Sequence, residues 1–249
     1  MYNIEMQGVG VILSKFERPI SWGMLEIGLV YLSILASAMV FGIYEDSLLT
    51  IFFVSGVPDT QLGYFTVVFA VQFISTILFV FLFTLVLNKA SLADLGIKGA
   101  RLKDYIKYGI FGGLLLLILI VIMGIPINQL QPDIEAQVFE EILRSITGPA
   151  EFMLLLVIGA VLAPLSEELF YRGMIYPVFR QHLGPLWGAV LAGIVFGVAH
   201  WDLWRTIPLA VGGAVLCYIY EKTGSIFASA LAHGVWNGVM SMFVYFSLY

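Results

Sequence analysis

The sequence predicts an all-α fold, a polytopic transmembrane helical bundle of about seven spans. Two observations carry this expectation. Long apolar runs poor in charge recur along the chain, most of them near the roughly 20 residues that a spanning helix needs. The 249 residues are 60% hydrophobic and only 12% charged, with a mean hydropathy of +0.97, whereas a soluble domain is nearer 25% charged. Only helices and closed barrels satisfy their backbone groups inside hydrocarbon, and continuous runs of this length favour helices.

Taken in order, the spans fall near 22–44, 63–87, 108–127, 152–179, 186–204, 206–220 and 226–249. The stretch 47–55 is too short to cross and suits an interfacial or re-entrant piece. Between the third and fourth spans, Val138, Ile142, Leu143 and Ile146 form one helical stripe with acids opposite, which predicts a helix lying along the outer interface. Trp22, Trp187, Trp201 and Trp204 are expected to anchor span ends at the interfaces. No repeat or second domain is visible, so residues 1–249 read as a single integral membrane domain.

Orientation follows from the basic residues, which accumulate in cytoplasmic loops. With the N-terminus inside, the cytoplasmic segments hold Lys15, Arg18, Lys89, Lys98, Arg101, Lys103, Lys107, Arg180 and Lys222, and the outer ones only Arg144 and Arg205. Tyr249 then lies outside. The net charge of -5 and the absence of a Lys/Arg-rich run argue against a nucleic-acid partner. Cys217, the only cysteine, can form no intramolecular disulfide and is expected simply to pack.

Polar residues concentrate where they cost most. Ionisable side chains within spans face bundle interiors or aqueous cavities, and here they gather in the last hundred residues: Glu167, Glu168 and Arg172 in the fourth span, His200 at the end of the fifth, His233 and Asn237 in the last. Counted from the cytoplasmic ends at the helical rise, Glu167, His200, His233 and Asn237 lie roughly 12 to 22 Å deep. Glu168 and Arg172 share a helix face, as do His233 and Asn237, while the two glutamates point about 100° apart and are free to do different jobs. Gly193 and Gly197, and Gly234 and Gly238, have the spacing that lets helix backbones approach. Pro164 interrupts the hydrogen bonding just before the glutamates. Each residue alone has a bland reading, as a buried ion pair or a packing histidine, and paired carboxylates with histidines also mark ion paths.

At these residues the sequence resembles the CPBP family, the CAAX proteases and bacteriocin-processing enzymes that include the Ras-converting CAAX endopeptidase. EExxxR occurs as Glu167, Glu168 and Arg172, FxxxH as Phe196 and His200, and HxxxN as His233 and Asn237, in that order, within a core of about 151–249. The stretch 91–98, SLADLGIK, is similar to a segment that often precedes this core. The resemblance implies an intramembrane endopeptidase in which Glu167 and His200 activate a water, Glu168 and Arg172 position the first glutamate, and His233 and Asn237 hold the oxyanion. It implies a peptide or protein substrate with a hydrophobic or lipidated segment, met among membrane lipids; the distribution of basic residues and the depth of the site predict that it is reached from the cytoplasmic side. Family members are commonly labelled metalloproteases. The missing HExxH and the presence of Asn237 favour a metal-free site, with zinc on Glu167, His200 and His233 as the alternative. A non-enzymatic immunity or binding protein and an ion-coupled transporter are the rival classes.

Overall fold

A computed structural model describes residues 19–131 and 134–246. The basic residues Lys15 and Arg18 and the final Tyr249 lie outside them, as does Asp133. Every regular element among the described residues is helical: α1 (Met24–Ile43), α2 (Glu45–Val54), α3 (Gln61–Leu87), α4 (Leu102–Leu130), α5 (Val138–Ser145), α6 (Pro149–Val198), α7 (Leu203–Thr223) and α8 (Ile226–Phe246).

Five of these, α1, α3, α4, α6 and α7, are long and apolar enough to cross a membrane, so the chain is a multi-pass membrane protein with five candidate spans rather than the seven counted from sequence. Two features account for the difference. The fourth and fifth expected spans fall within the single 50-residue run of α6, which is broken at Gly184 by a φ of 76°. The chain turns back sharply there, because a Cβ on Gly188 would lie 2.7 Å from the backbone nitrogen of Arg180, whereas eight residues of straight helix span about 12 Å. The seventh falls on α8, which is 21 residues long but carries His233, Trp236 and Asn237 and is correspondingly less apolar.

The second limb of α6, residues 185–198, packs along α7 through glycine. A Cβ on Gly193 would lie 2.3 Å from the Ala210 carbonyl oxygen, and one on Gly197 2.4 Å from that of Thr206. Only a hydrogen fits at these crossings, and the small-residue spacing read from the sequence does close the helices on one another. On the other side, α8 packs against α4 and against the first limb of α6.

Segment 91–98 is not a free loop. Leu95 is fully buried, Gly96 takes a φ of 70° against the Tyr220 ring, and the Gly96 carbonyl accepts from the Ile226 N–H at 3.0 Å, which seats the start of α8. On the opposite side α5 buries Ile142 and Leu143 against Phe152 and Leu155. Val138 is exposed and Phe139 takes its expected place, reaching the backbone of Gly159. Trp22 also departs from expectation. It is buried, and its indole N–H donates to the Met174 carbonyl at 2.9 Å, so it ties the start of α1 to α6 rather than anchoring in the interface. Trp187 and Trp201 are exposed as anchors should be, and Cys217 packs in the core.

Candidate active site

Two irregular turns set the backbone of the site. The first limb of α6 widens into π-helical turns at Ile158–Leu162 and Leu169–Ile175, on either side of the two glutamates; such turns free backbone groups and are frequent at functional positions. Pro164 adds to the first, since it offers no N–H to the carbonyl of Ala160 four residues earlier. Helix α8 docks on the carbonyls so released. The Asn237 amide donates to the Gly159 carbonyl at 3.0 Å. Gly234 approaches the Ala160 carbonyl so closely that a Cβ there would stand 2.1 Å from its oxygen.

The two adjacent glutamates take opposite environments. Glu168 is completely buried, and one of its oxygens, Oε1, accepts from Arg172 Nη1 at 2.7 Å and from His233 Nδ1 at 3.0 Å. Arg172, equally buried, also donates from Nη2 to the Gly213 carbonyl of α7 at 3.0 Å and lies 4.7 Å over the Phe196 ring. Desolvating a carboxylate and a guanidinium costs several kcal/mol each unless they are paired and hydrogen-bonded. Here one cation, one anion, an imidazole and a carbonyl from three helices meet that condition together. Glu168 Oε2 and Arg172 Nε remain without a partner. Glu167 keeps 30% of its side chain exposed and turns Oε2 toward His233 Nε2 at 3.8 Å, beyond hydrogen-bond length.

The histidines are fixed in orientation by their Nδ1 atoms. His233 gives Nδ1–H to the carboxylate of Glu168, which leaves Nε2 facing Glu167. His200 sits 2.8 Å from the Phe196 carbonyl through Nδ1; a carbonyl only accepts, so Nδ1 carries a proton and Nε2 is the ring nitrogen left for other partners. Phe196 stands between them, its ring centroid 4.7 Å from that of His200 and 5.7 Å from that of His233. Arg172, His200 and His233 thus lie around the Phe196 ring.

Several participants were not visible in sequence. The carbonyls of Gly159 and Gly213 have no side-chain signature. Trp236 stacks on His233 at 5.4 Å, and Tyr171 packs edge-on to Phe196 at 5.0 Å; their spacings, three from His233 and four from Glu167, were the available signal. Beyond His200, Asp202 caps α7 by accepting from the Arg205 N–H and guanidinium. Burial pushes its carboxyl up, but these donors outweigh it and hold the group below the usual carboxylate range. Arg205 also donates to the Glu135 carbonyl at 3.1 Å, which fastens the segment before α5 to this end of the site.

Among the described residues, no three His, Cys, Asp or Glu side chains converge as a metal site requires. The alternative ligand set of Glu167, His200 and His233 does not fit a three-ligand zinc centre.

No curated protein and no solved structure matches the chain. Residues 149–239, which hold Glu167, Glu168, Arg172, His200, His233 and Asn237, match the family model described as type II CAAX prenyl endopeptidase Rce1-like, so this part of the chain is similar to that family of peptidases.

Proposed function

We propose that the protein is an intramembrane endopeptidase that hydrolyses a peptide bond in a membrane-associated substrate with a hydrophobic or lipidated segment, prenylated CAAX tails being one such class. The observation that carries the proposal is the division of labour between the glutamates: Glu168 is buried and committed to Arg172 and His233, while Glu167 is partly open and faces the same histidine. A structural ion pair needs only the first.

In this reading a water attacks the carbonyl carbon and gives its proton to Glu167, aided by the Nε2 lone pair of His200. The oxygen that becomes negative is held by His233, which donates from Nε2 when protonated there, and by the second amide hydrogen of Asn237. The C–N bond then breaks, and Glu167 returns the proton to the leaving amine. Glu167 Oε2 and His233 Nε2, 3.8 Å apart, face one another from two helices. Glu168 and Arg172 position this machinery without touching the reacting atoms.

Counting the two limbs of α6 and adding α8, the chain crosses seven times with its N-terminus cytoplasmic, as the distribution of Lys and Arg supports. The site is then entered from the cytoplasmic side, since α5 and the Arg205 tie cover the other.

Purified wild-type protein should cleave members of a peptide library that includes prenylated CAAX peptides. Glu167→Gln and His200→Ala should abolish cleavage while leaving helicity unchanged, and Asn237→Ala should lower turnover by about 10²-fold to 10³-fold, the usual loss for one oxyanion donor. Wild-type turnover in Glu167→Gln would refute the assignment. Absence of any cleavage by the wild type would favour a binding or transport role.

A further inference from the structure

Lys89, Lys98, Arg101, Lys103 and Lys107 lie between the end of α3 and the second turn of α4. Basic residues at a span end help to set topology and need bind nothing, so their number alone assigns no site. Three of them, however, share one concave place. Arg101, Lys103, Asp104, Lys107 and Tyr108 line a cavity of about 210 Å³ at the start of α4. The helix widens there into a π-helical turn over Tyr105–Ile110, a departure that is frequent at functional positions.

The charges in this cavity do not cancel. Asp104 is buried, and the Arg101 guanidinium meets both of its oxygens, Nε on Oδ2 at 2.8 Å and Nη2 on Oδ1 at 3.1 Å. Lys103 and Lys107 are exposed, and among the described residues neither forms an ion pair. Lys107 Nζ lies 5.1 Å from the centre of the Tyr108 ring, another wall of the cavity. Two ammonium groups thus stand in one recess beyond what its own carboxylate neutralises, which suits an anion such as phosphate.

The surroundings say which anion. Leu102, Ile106, Ile110 and Phe111 alternate with these lysines and are exposed as well. From Gly109 to Leu130 α4 carries no charged side chain, so the lysines stand where the apolar span meets the headgroup region. A free phosphate or an acidic peptide would use the charges and leave the apolar side chains in water. A phospholipid uses both.

We propose that the start of α4 is a binding site for an anionic phospholipid, its headgroup phosphate between Lys103 and Lys107 and its acyl chains along Leu102, Ile106 and Ile110. This assignment is independent of the peptidase reading. The helix concerned is not remote from the candidate active site: a Cβ on Gly113 of α4 would lie 2.5 Å from the carbonyl oxygen of Ala232, the residue before His233.

The test is native mass spectrometry of the purified full chain in detergent, titrated with phosphatidylglycerol or phosphatidylcholine. Wild type is compared with Lys103→Gln/Lys107→Gln and with Lys89→Gln/Lys98→Gln, which removes the same charge from the same loop outside the cavity. Wild type should bind one phosphatidylglycerol in preference to phosphatidylcholine. The Lys103→Gln/Lys107→Gln variant should lose that preference by about 10-fold to 30-fold, the effect of two lysines at an anionic lipid surface, while Lys89→Gln/Lys98→Gln keeps it. No preference in the wild type, or equal loss in both variants, would overturn the proposal, the second by showing a diffuse effect of loop charge. Displacement of the lipid by glycerol 3-phosphate at similar concentration would also overturn it, in favour of a site for free anions. Should Lys103→Gln/Lys107→Gln fail to fold, the wild type alone decides: its preference should weaken as ionic strength rises, and a salt-independent preference would refute a site built on two lysines.

Discussion

The first and last thirds of the molecule solve the membrane problem in opposite ways. In α1 only 11% of the most apolar window is buried within the protein, against 39% in α6 and in α7. Leu25, Leu32, Met39 and Ile43 of α1 point outward, and its sequence needs little beyond apolarity, since lipid is as good a solvent for leucine as protein is. The helices α6, α7 and α8 bury Glu168, Arg172 and His233 instead. Glycine at 193, 197 and 234 lets these helices close on one another, and the Gly213 carbonyl of α7 and His233 of α8 then meet the ion pair on α6. The difference teaches that close helix contact is a precondition for intramembrane chemistry: a charge is tolerated only where several helices together satisfy it.

The comparison breaks most visibly at Arg172. Arg172→Met leaves the fully buried Glu168 carboxylate without its cation, and loss of one member of a buried pair costs about 3 to 5 kcal/mol. The variant should show a large drop in unfolding temperature together with loss of any cleavage; a stable, active Arg172→Met protein would mean that Glu168 does not depend on it.

Gly234→Ala should be the next largest. Its Cβ would press on the Ala160 carbonyl, a backbone atom that cannot rotate away, and overpacking of this kind costs about 1 to 3 kcal/mol. Because Gly234 adjoins His233 and lies on the helix that carries Asn237, turnover should fall along with stability. Thermal unfolding and kinetics of the purified variant measure both, and unchanged values would show that α8 sits farther from α6 than described.

At the small end, Leu32→Ala on the outward face of α1 removes a side chain that is 61% exposed and should change unfolding by no more than about 0.5 kcal/mol, the range for substitutions away from packed features. A loss comparable to that at Gly234 would reveal that α1 has a protein neighbour on its outer face, and would erase the contrast between the two regions.

Much of the site was legible in the sequence because charge in a membrane is rare and therefore informative: Glu167, Glu168, Arg172, His200, His233 and Asn237 stand out against apolar runs, and helical spacing alone pairs Glu168 with Arg172. The all-helical class and the close approach at Gly193 and Gly234 were legible for the same kind of local reason. What the sequence could not decide were relations between segments. Hydropathy separated two expected spans at 180–185, and the chain turns back within that gap, but the left-handed φ of Gly184 that makes the turn leaves no trace in a windowed average. Trp22 has the composition of an interfacial anchor and is instead buried on the Met174 carbonyl, because only the fold brings that carbonyl to it. The commitment of Glu168 to His233, of Asn237 to Gly159 and of Arg172 to Gly213 likewise belongs to the tertiary structure. Side-chain chemistry and periodicity are properties of neighbouring residues, whereas each of these bonds joins residues more than forty positions apart, and its partner exists only once the π-helical turns of α6 have exposed their carbonyls to α8 and the helices have closed on their glycines.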